Sequence, residues 1–207
     1  MYTGIVQRML PVAEAVKKPG LLTFRVDFDE EMLAELELGA SVAFNGCCFT
    51  VTQIDENGRV SFDAIQETLD ITNLKYIKVG SLLNVERSAR SDAEVGGHIL
   101  SGHIVDTAKV VEISESENNV RMTFAGDPEW LKYVFKKGFL AVNGCSLTVA
   151  DLDRENQQFA INLIPETLAR TNFARLQVGD EVNIEVESQT QVIVETVERI
   201  MAERFSA

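Results

Sequence analysis

The sequence predicts an all-β protein made of two homologous closed antiparallel β-barrels with Greek-key connections, followed by a C-terminal α-helix. Three observations carry this prediction. The chain of 207 residues repeats itself once. Each copy consists of short apolar runs separated by turn signals, and a final segment without a counterpart has apolar residues at helical spacing.

The repeat is clearest where residues 41–51, SVAFNGCCFTV, align with residues 139–149, FLAVNGCSLTV. The shared motif is N-G-C-x-x-T-V. Glu67-Thr-Leu also matches Glu166-Thr-Leu, and Ile5-Val6 falls on Ile104-Val105. The boundary between the copies therefore lies close to residue 98. We expect barrels at residues 1–98 and 99–188, and an oligomerisation helix at residues 189–207.

Turn signals such as Asp55-Glu-Asn-Gly58 and Lys78-Val-Gly80 interrupt the apolar runs within each copy. This pattern favours short antiparallel strands over βαβ units. A unit of roughly a hundred residues built from short strands must protect its sheet edges, and closure is the commonest way to do so. We therefore expect each copy to form a closed barrel.

Each copy also contains two short segments with helix-like spacing. One begins at an acidic residue, as helix N-termini favour, and is predicted over residues 29–36 and 127–134. The other is predicted over residues 66–73 and 165–172. In the tail, Ile193, Val197 and Ile200 recur at helical spacing. That apolar stripe either packs on its own barrel or joins copies of the chain, and spacing alone favours neither.

The composition excludes several classes of partner. A formal net charge of −13 and a pI near 4.6 argue against nucleic acid and anionic membranes. No basic segment precedes an apolar stretch at the start, and no run approaches the roughly 20 apolar residues of a membrane span, so we expect a cytoplasmic protein. Cys47, Cys48 and Cys145 are expected to be reduced thiols. Together with the two histidines they lack the spacing of a zinc site, so we expect no metal.

The repeated motif points to two similar half-sites. Side chains alternate between the faces of a strand, so Cys48 and Thr50 share one face while Cys47 points the other way. Ser146 and Thr148 copy Cys48 and Thr50 in the second half. Either threonine taken alone is explained as an ordinary strand residue. Their appearance twice in register favours a ligand face beside each motif glycine, whereas Cys47 and Cys145 are expected to be small buried hydrophobes.

Where the halves differ, unlike chemical roles become possible. Cys48 faces Ser146 in the alignment, and its thiol either adds to an electrophilic ring carbon or merely lines the site. His103, beside flexible glycines, is a plausible general acid or base, with a structural role about as well supported. We rank His98 below it, because backbone constraint explains Gly96-Gly-His equally well. Lys137 either contacts a ligand or is a solvated loop lysine.

Five motifs in order carry a resemblance to a known family. The sequence contains Met1-Tyr-Thr-Gly-Ile-Val, Asn45-Gly-Cys-Cys-Phe-Thr-Val, Gly96-Gly-His-Ile-Leu-Ser-Gly-His, Asn143-Gly-Cys-Ser-Leu-Thr-Val and Ile164-Pro-Glu-Thr-Leu. Together they resemble the riboflavin synthase alpha-chain family. The resemblance implies that each half is a lumazine-binding Greek-key barrel. It also implies that the tail helices assemble a homotrimer, with the active site between the first barrel of one subunit and the second barrel of another.

The implied reaction is a dismutation of two molecules of 6,7-dimethyl-8-ribityllumazine. A four-carbon unit passes between them, giving riboflavin and 5-amino-6-ribitylamino-pyrimidinedione without an outside cofactor. The implied substrate-binding residues are Thr3, Gly4, Val6, Ser41, Cys48, Thr50, Glu67, Thr68, Gly102, Lys137, Ser146, Thr148, Glu166 and Thr167. The catalytic candidates are Cys48, His103, Ser146, Glu187 and His98. Lumazine synthase is a further implied partner.

Three positions depart from the usual family pattern. Tyr2 stands where Phe is usual, Cys145 where an apolar residue such as Ile is usual, and Glu187 where an Asp lies near the site. The extra methylene of Glu187 would move its carboxylate by roughly an ångström or more, which alters a positioned hydrogen bond. We expect that change to affect the rate more than the reaction.

Two other classes compete with a synthase. The same family includes lumazine and yellow fluorescence proteins, which hold a lumazine or flavin for bioluminescence and have degenerate second sites. Both sets of motif residues are whole here, which favours the enzyme. A flavin-dependent oxidoreductase is disfavoured, because the chain lacks both a G-x-G-x-x-G after a strand and a basic phosphate cradle.

Overall fold

A computed structural model describes residues 1–90, 92 and 94–205. The first half contains β1 (Arg8–Lys18), β2 (Leu21–Asp27), α1 (Glu30–Leu33), β3 (Ser41–Phe44), β4 (Cys47–Thr50), β5 (Gln53–Ile54), β6 (Arg59–Ile65), α2 (Gln66–Ile71) and β7 (Leu82–Arg87). The second half contains β8 (Asp106–Glu115), β9 (Val120–Ala125), α3 (Pro128–Leu131), β10 (Phe139–Val142), β11 (Cys145–Asp153), β12 (Gln158–Leu163), α4 (Pro165–Arg170) and β13 (Glu181–Val186). The tail forms α5 (Ser188–Phe205), and its last two residues, 206 and 207, lie outside the described range.

The second half is a closed antiparallel barrel in the order β10-β11-β12-β9-β8-β13. Because β9 pairs with β8 and β12 rather than with β10, the chain crosses one end of the barrel in a Greek-key connection. The all-β prediction is confirmed, and so is the closed barrel in this half.

The first half has the same strand order but a different hydrogen-bond ladder. Its sheet runs β4-β3-β7-β1-β2-β6-β5, so β4 and β5 are its two ends. They are consecutive in sequence, and only Val51 and Thr52 separate them. In the second half one strand, β11, covers both stretches and has an irregular register between Val149 and Asp151. The first half is therefore a seven-stranded sheet whose two end strands are joined only by the chain, and closure by hydrogen bonds is found in the second half.

The short helices lie where the sequence predicts them, but they are shorter. Asp29 caps α1 by accepting a hydrogen bond from the Met32 amide. Asp127 caps α3 in the same way by accepting a hydrogen bond from the Glu129 amide. The helix α1 ends at Leu33 because Ala34 leaves the helical conformation, with φ −54° and ψ 119°, and Glu35 then adopts a left-handed conformation, with φ 55°. The predicted helix over residues 66–73 stops at Ile71, and a separate 3-10 turn, Asn73–Tyr76, follows.

Two arms exchange between the halves. The first arm, residues 1–6, precedes β1, and the second arm, residues 98–104, precedes β8. Val6 of the first arm packs in the core of the second barrel, and Ile104 of the second arm packs in the core of the first. Tyr2 and Leu100 pair through two backbone hydrogen bonds of 2.8 and 2.9 Å, which join the arms. Each barrel is thus completed by a segment of the other half.

The barrels meet at their motif turns. Asn45 and Gly46 both have positive φ, as do Asn143 and Gly144, which is the geometry of a type I′ hairpin. A Cβ on Gly46 would lie 2.7 Å from the Gly144 amide nitrogen, so the two backbones pack directly together. Amide side chains tie the halves around this contact, namely those of Asn45, Asn73, Asn84, Asn143, Asn172 and Asn183.

Gly46→Ala is expected to destabilise the fold through this contact. At both Gly46 and Gly80 an alanine would be strained by positive φ, but only Gly46 faces another backbone. The strain alone costs about 1 kcal/mol, and forced overpacking adds about 1–3 kcal/mol. Thermal or urea unfolding should therefore show a larger loss for Gly46→Ala than for the control Gly80→Ala. Equal losses would mean that the turn contact contributes nothing to stability.

The tail helix α5 leaves its apolar stripe open. Ile193, Val197 and Ile200 are all exposed, and none of the described helix residues is buried. The helix touches its own barrel through polar contacts, from Lys132 to Glu198 and from Tyr133 to Glu195. Packing of the stripe on its own barrel is therefore not what the structure shows. No helix among the described residues is long and apolar enough to cross a membrane.

Candidate functional site

The motif strands β4 and β11 present their side chains as the strand alternation predicts. Cys47 and Phe49 are buried, whereas Cys48 is half-buried and Thr50 is exposed. In the second half, Cys145 is buried, Ser146 is half-buried and Thr148 is exposed. Thr50 pairs across the ladder with Ser41, and Thr148 pairs with Phe139. Each half thus has an open face with two small polar side chains from its motif strand. We call these faces the first pocket (Cys48, Thr50, Ser41) and the second pocket (Ser146, Thr148, Phe139).

The inward-facing cysteines are poor candidates for chemistry. Burial raises the pKa of the Cys47 thiol to about 12, and it does the same to Cys145. Neither thiol forms an appreciable fraction of thiolate near neutral pH, and thiolate is the nucleophilic form. Their prediction as small buried hydrophobes is confirmed by this burial.

The first arm lies on the second pocket. The Thr3 amide and hydroxyl and the Gly4 amide donate to the Glu86 carboxylate over 2.6, 2.8 and 3.0 Å. The Gly4 carbonyl then accepts a hydrogen bond of 2.8 Å from the Ser146 amide. Burial raises the pKa of Glu86, although the Thr3 and Gly4 donors oppose that rise. A buried carboxylate of the first barrel therefore holds the arm that lines the second pocket.

The second arm lies on the first pocket in the same way. The Ser101 amide and hydroxyl and the Gly102 amide donate to Glu185, with the shortest contacts 2.6 and 2.7 Å. The Gly102 carbonyl accepts a 3.0 Å hydrogen bond from the Cys48 amide. Burial raises the pKa of Glu185, again against the effect of its donors. Predicted pocket residues Thr3, Gly4 and Gly102 are thus brought to the motif strands by long-range contacts.

These contacts correct one alignment. Gly4 and Gly102 play the same part, so the sequence match of Ile5-Val6 with Ile104-Val105 is wrong by one residue. Sequence reasoning also missed Glu86 and Glu185, although the repeated Asn84-Val-Glu and Asn183-Ile-Glu carried the signal. A carboxylate repeated at the end of a core strand needs donors when it is buried, and the two arms supply them.

His98 contacts Ser146 directly. Its Nδ1 lies 2.6 Å from the Ser146 hydroxyl oxygen, and its ring stacks on Phe139 with centroids 5.2 Å apart. His98 is only 8% exposed, and its Nε2 is a buried atom without a hydrogen-bond partner among the described residues. A neutral imidazole offers one bare nitrogen, so Nδ1 can accept the hydroxyl proton. The second pocket therefore holds a paired hydroxyl and imidazole, which ranks His98 above its place in the sequence prediction.

His98 should make stability depend on pH. Burial lowers its pKa below the ordinary 6.5, partly offset by the Glu187 charge. As the pH falls below 6.5, the unfolded chain binds the proton first, so stability is full above that pH and is lost below it. Relative to His98→Gln, the wild type should lose up to about 1.4 kcal/mol per pH unit. Urea unfolding across a pH series tests this, with His103→Gln as control, and parallel curves for wild type and His98→Gln would contradict it.

Glu187 lies at the start of the tail helix rather than on Ser146. Its carboxylate accepts from the Gln189 amide at 3.1 Å and from the Thr190 amide and hydroxyl at 2.7 and 2.5 Å. Burial raises its pKa, but these donors outweigh burial and hold the pKa below its usual range. Its charge acts on His98 at longer range. The Glu187 carboxylate thus caps the N-terminus of the tail helix.

The remaining predicted residues lie on the second arm, in the turn before β10 and on two short helices. His103 follows Gly102 in the second arm and is exposed, and its amide donates to the Ser101 hydroxyl. Lys137 is exposed and has φ 69°, at the position where the first half has Gly39. A non-glycine residue there is strained, and such strain commonly marks a functional position. The helices α2 and α4 carry the other predicted residues, with exposed Glu67 and Glu166 and half-buried Thr68 and Thr167.

One further contact touches the first pocket. The Tyr2 hydroxyl donates to Cys48 Sγ over 3.0 Å. In the sequence, Tyr2 is marked only by its departure from the usual family pattern. The first pocket therefore presents a thiol with a phenol donor, whereas the second presents a hydroxyl with an imidazole. Two homologous pockets with unlike reactive groups can bind two like ligands and treat them differently.

Comparison with known proteins agrees with a pair of ligand-binding barrels. The model of the lumazine binding domain matches residues 3–88 and 101–187. A riboflavin synthase of Escherichia coli is 48% identical over all of this chain and 96% of its own length, and one of Chlamydia pneumoniae is 36% identical over 98% of both. The fold and site thus define a duplicated lumazine-binding protein. Within that class, the chain belongs to the riboflavin synthase family.

Solved structures agree on the fold. LumP complexed with riboflavin has a TM-score of 0.82 at 24% identity and covers 90% of this chain and 100% of its own. LumP complexed with 6,7-dimethyl-8-(1'-D-ribityl) lumazine has a TM-score of 0.79 at 25% identity, covering 90% and 99%.

Proposed function

We propose that the protein is a riboflavin synthase, which converts two molecules of 6,7-dimethyl-8-ribityllumazine into riboflavin and 5-amino-6-ribitylamino-pyrimidinedione. The observation that carries the proposal is the pair of homologous pockets whose reactive groups differ, Cys48 in one and Ser146 with His98 in the other. A dismutation needs two copies of one compound in two different roles. Relatives of this chain that match it over nearly their full length are riboflavin synthases.

The reaction is a transfer of four carbons from one lumazine to the other. The two products together contain the atoms of the two substrates, so the electrons balance without an external oxidant or cofactor. One lumazine must lose a proton from its 7-methyl group, and the other ring must accept a nucleophile. Ser146 with His98 supplies proton transfer in the second pocket, Cys48 supplies a nucleophile or a lining thiol in the first, and His103 is the acid or base beside it.

We also propose that the complete site forms between chains. Thr50, Thr148, Glu67 and Glu166 are exposed, so both pockets are open in a single chain. The exposed stripe of α5 supports the tail helix as the element that joins copies into a homotrimer. In this arrangement residues 1–98 and 99–188 bind one lumazine each, and residues 189–207 hold the assembly together. A cytoplasmic location and an association with lumazine synthase complete the proposal.

The decisive experiment is an anaerobic incubation of the purified protein with 6,7-dimethyl-8-ribityllumazine alone. Riboflavin and the pyrimidinedione are followed by absorbance and chromatography. Equimolar formation of both is the expected result. The alternative function is a non-catalytic antenna, and LumP, which shares the fold, is known in complex with 6,7-dimethyl-8-(1'-D-ribityl) lumazine. Tight lumazine binding without products would establish that alternative instead.

A further inference from the structure

We propose that Tyr2 is a positioning residue for Cys48, and that its hydroxyl holds and polarises the sulfur in the first pocket. The inference rests on the proposed function, in which Cys48 lies against a bound lumazine. It concerns a side chain by which this protein departs from the usual family pattern, where a phenylalanine has no hydroxyl to donate.

The geometry of the contact is well determined by its surroundings. Tyr2 is 2% exposed and packs with Ala43, Leu100 and Ala141, with Cys48 at the edge of this cluster. Its backbone is held by the two hydrogen bonds to Leu100. The phenol oxygen therefore reaches Cys48 Sγ, 3.0 Å away, from a ring that has little freedom to move. A donor fixed in this way loses little entropy when it bonds.

Cys48 is held at its other end by the second arm. Its amide donates to the Gly102 carbonyl at 3.0 Å, and a Cβ on Gly102 would lie 2.6 Å from Cys48 Cβ and 2.9 Å from Tyr2 Cε2. Gly102 thus packs against both the Cys48 side chain and the Tyr2 ring. The phenol bond selects the direction in which sulfur points within this narrow space.

The direction of the hydrogen bond decides its chemical effect. Burial, followed by the bond to Cys48, raises the pKa of the Tyr2 phenol, so the hydroxyl stays protonated and acts as the donor. A donor to sulfur stabilises negative charge that develops there more than it stabilises the neutral thiol. Tyr2 is therefore placed to stabilise negative charge that develops on sulfur when Cys48 attacks an electrophile, and it acts from outside the ligand face.

The test uses Tyr2→Phe, which removes only the hydroxyl. Alkylation of Cys48 by iodoacetamide at fixed pH should slow about three- to tenfold, the effect of one lost hydrogen bond. The S–H stretching band of Cys48, assigned with Cys48→Ser, should shift, while the bands of buried Cys47 and Cys145 stay in place. The matched control is Tyr76→Phe, which removes a hydroxyl at an exposed position. An unchanged alkylation rate and band would overturn the proposal.

A double-mutant cycle separates positioning from general destabilisation. In a Cys48→Ala background, Tyr2→Phe should leave turnover unchanged, whereas in the native background it should lower kcat with little change in KM. Equal effects of Tyr2→Phe in both backgrounds would show that the hydroxyl does not act through Cys48. The alkylation and spectroscopic readouts need no turnover. If the protein binds lumazine without converting it, the proposed function is contradicted, and these two readouts still test the contact between Tyr2 and Cys48.

Discussion

Replacement of Ser146 by alanine is expected to reduce riboflavin formation about 100- to 10,000-fold, the range for loss of a positioned proton-transfer group. Among the described residues, the Ser146 hydroxyl is the only hydrogen-bond partner of the His98 imidazole. Without it, proton transfer in the second pocket loses both its hydroxyl and the partner that orients the ring. Single-turnover kinetics should show the loss in the chemical step, and fluorescence titration should still find lumazine bound.

The control for this prediction is Ser116→Ala, which removes a hydroxyl from an exposed hairpin. The double variant Ser146→Ala with His98→Gln should be no slower than the slower single variant, because the two groups act as a unit. Losses that multiply would show that serine and histidine act separately. Full turnover by Ser146→Ala would remove the pair from the chemistry altogether.

Gly102→Ala is expected to abolish the first pocket while the barrels stay folded. Its φ of +84° strains any side chain, and the new methyl would lie 2.6 Å from Cys48 Cβ. The second arm must then move off β4. Displacement of catalytic groups by about an ångström lowers the reaction rate about 100-fold, so turnover should fall by at least that factor. Titration of lumazine fluorescence should find one site per chain in place of two.

The matched variants are Gly20→Ala and Gly4→Ala. Gly20 also has positive φ but faces open space, so its substitution should leave both sites intact. A methyl on Gly4 would lie 2.5 Å from Ser146 Cβ, so this variant should lose the second pocket instead. If Gly102→Ala kept two sites and full turnover, the second arm would not be part of the first pocket.

Much of the fold was predictable because its signals are local or repeated. The alternation in Cys47 to Thr50 places polar side chains on one face regardless of the rest of the chain. Asp29 and Asp127 marked two helix starts because an N-cap depends on its own next three residues. The break in the hydrogen-bond ladder of the first half could not be predicted, since the interruption at Val51 and Thr52 leaves no trace in the pattern of apolar residues.

The site was predictable in part. Repetition singled out the threonines and the Cys48 and Ser146 positions, but it ranked His103 over His98, because spacing says nothing about which imidazole meets a hydroxyl. The pairing of His98 with Ser146 joins residues 48 positions apart. Glu86 and Glu185 were missed for the same reason, because a carboxylate reveals its role only when its donors arrive from another part of the chain.

The sequence by itself determined the duplication, the motif faces and the family, since these depend on residue order and on the period of a strand. Only the tertiary structure decided the exchange of the two arms. The exchange places Val6 and Ile104 in the opposite barrels and brings Gly4 to Ser146 and Gly102 to Cys48. Its physical cause is the burial of two carboxylates that require donors, together with the Gly46 and Gly144 contact, which admits no side chain between the halves.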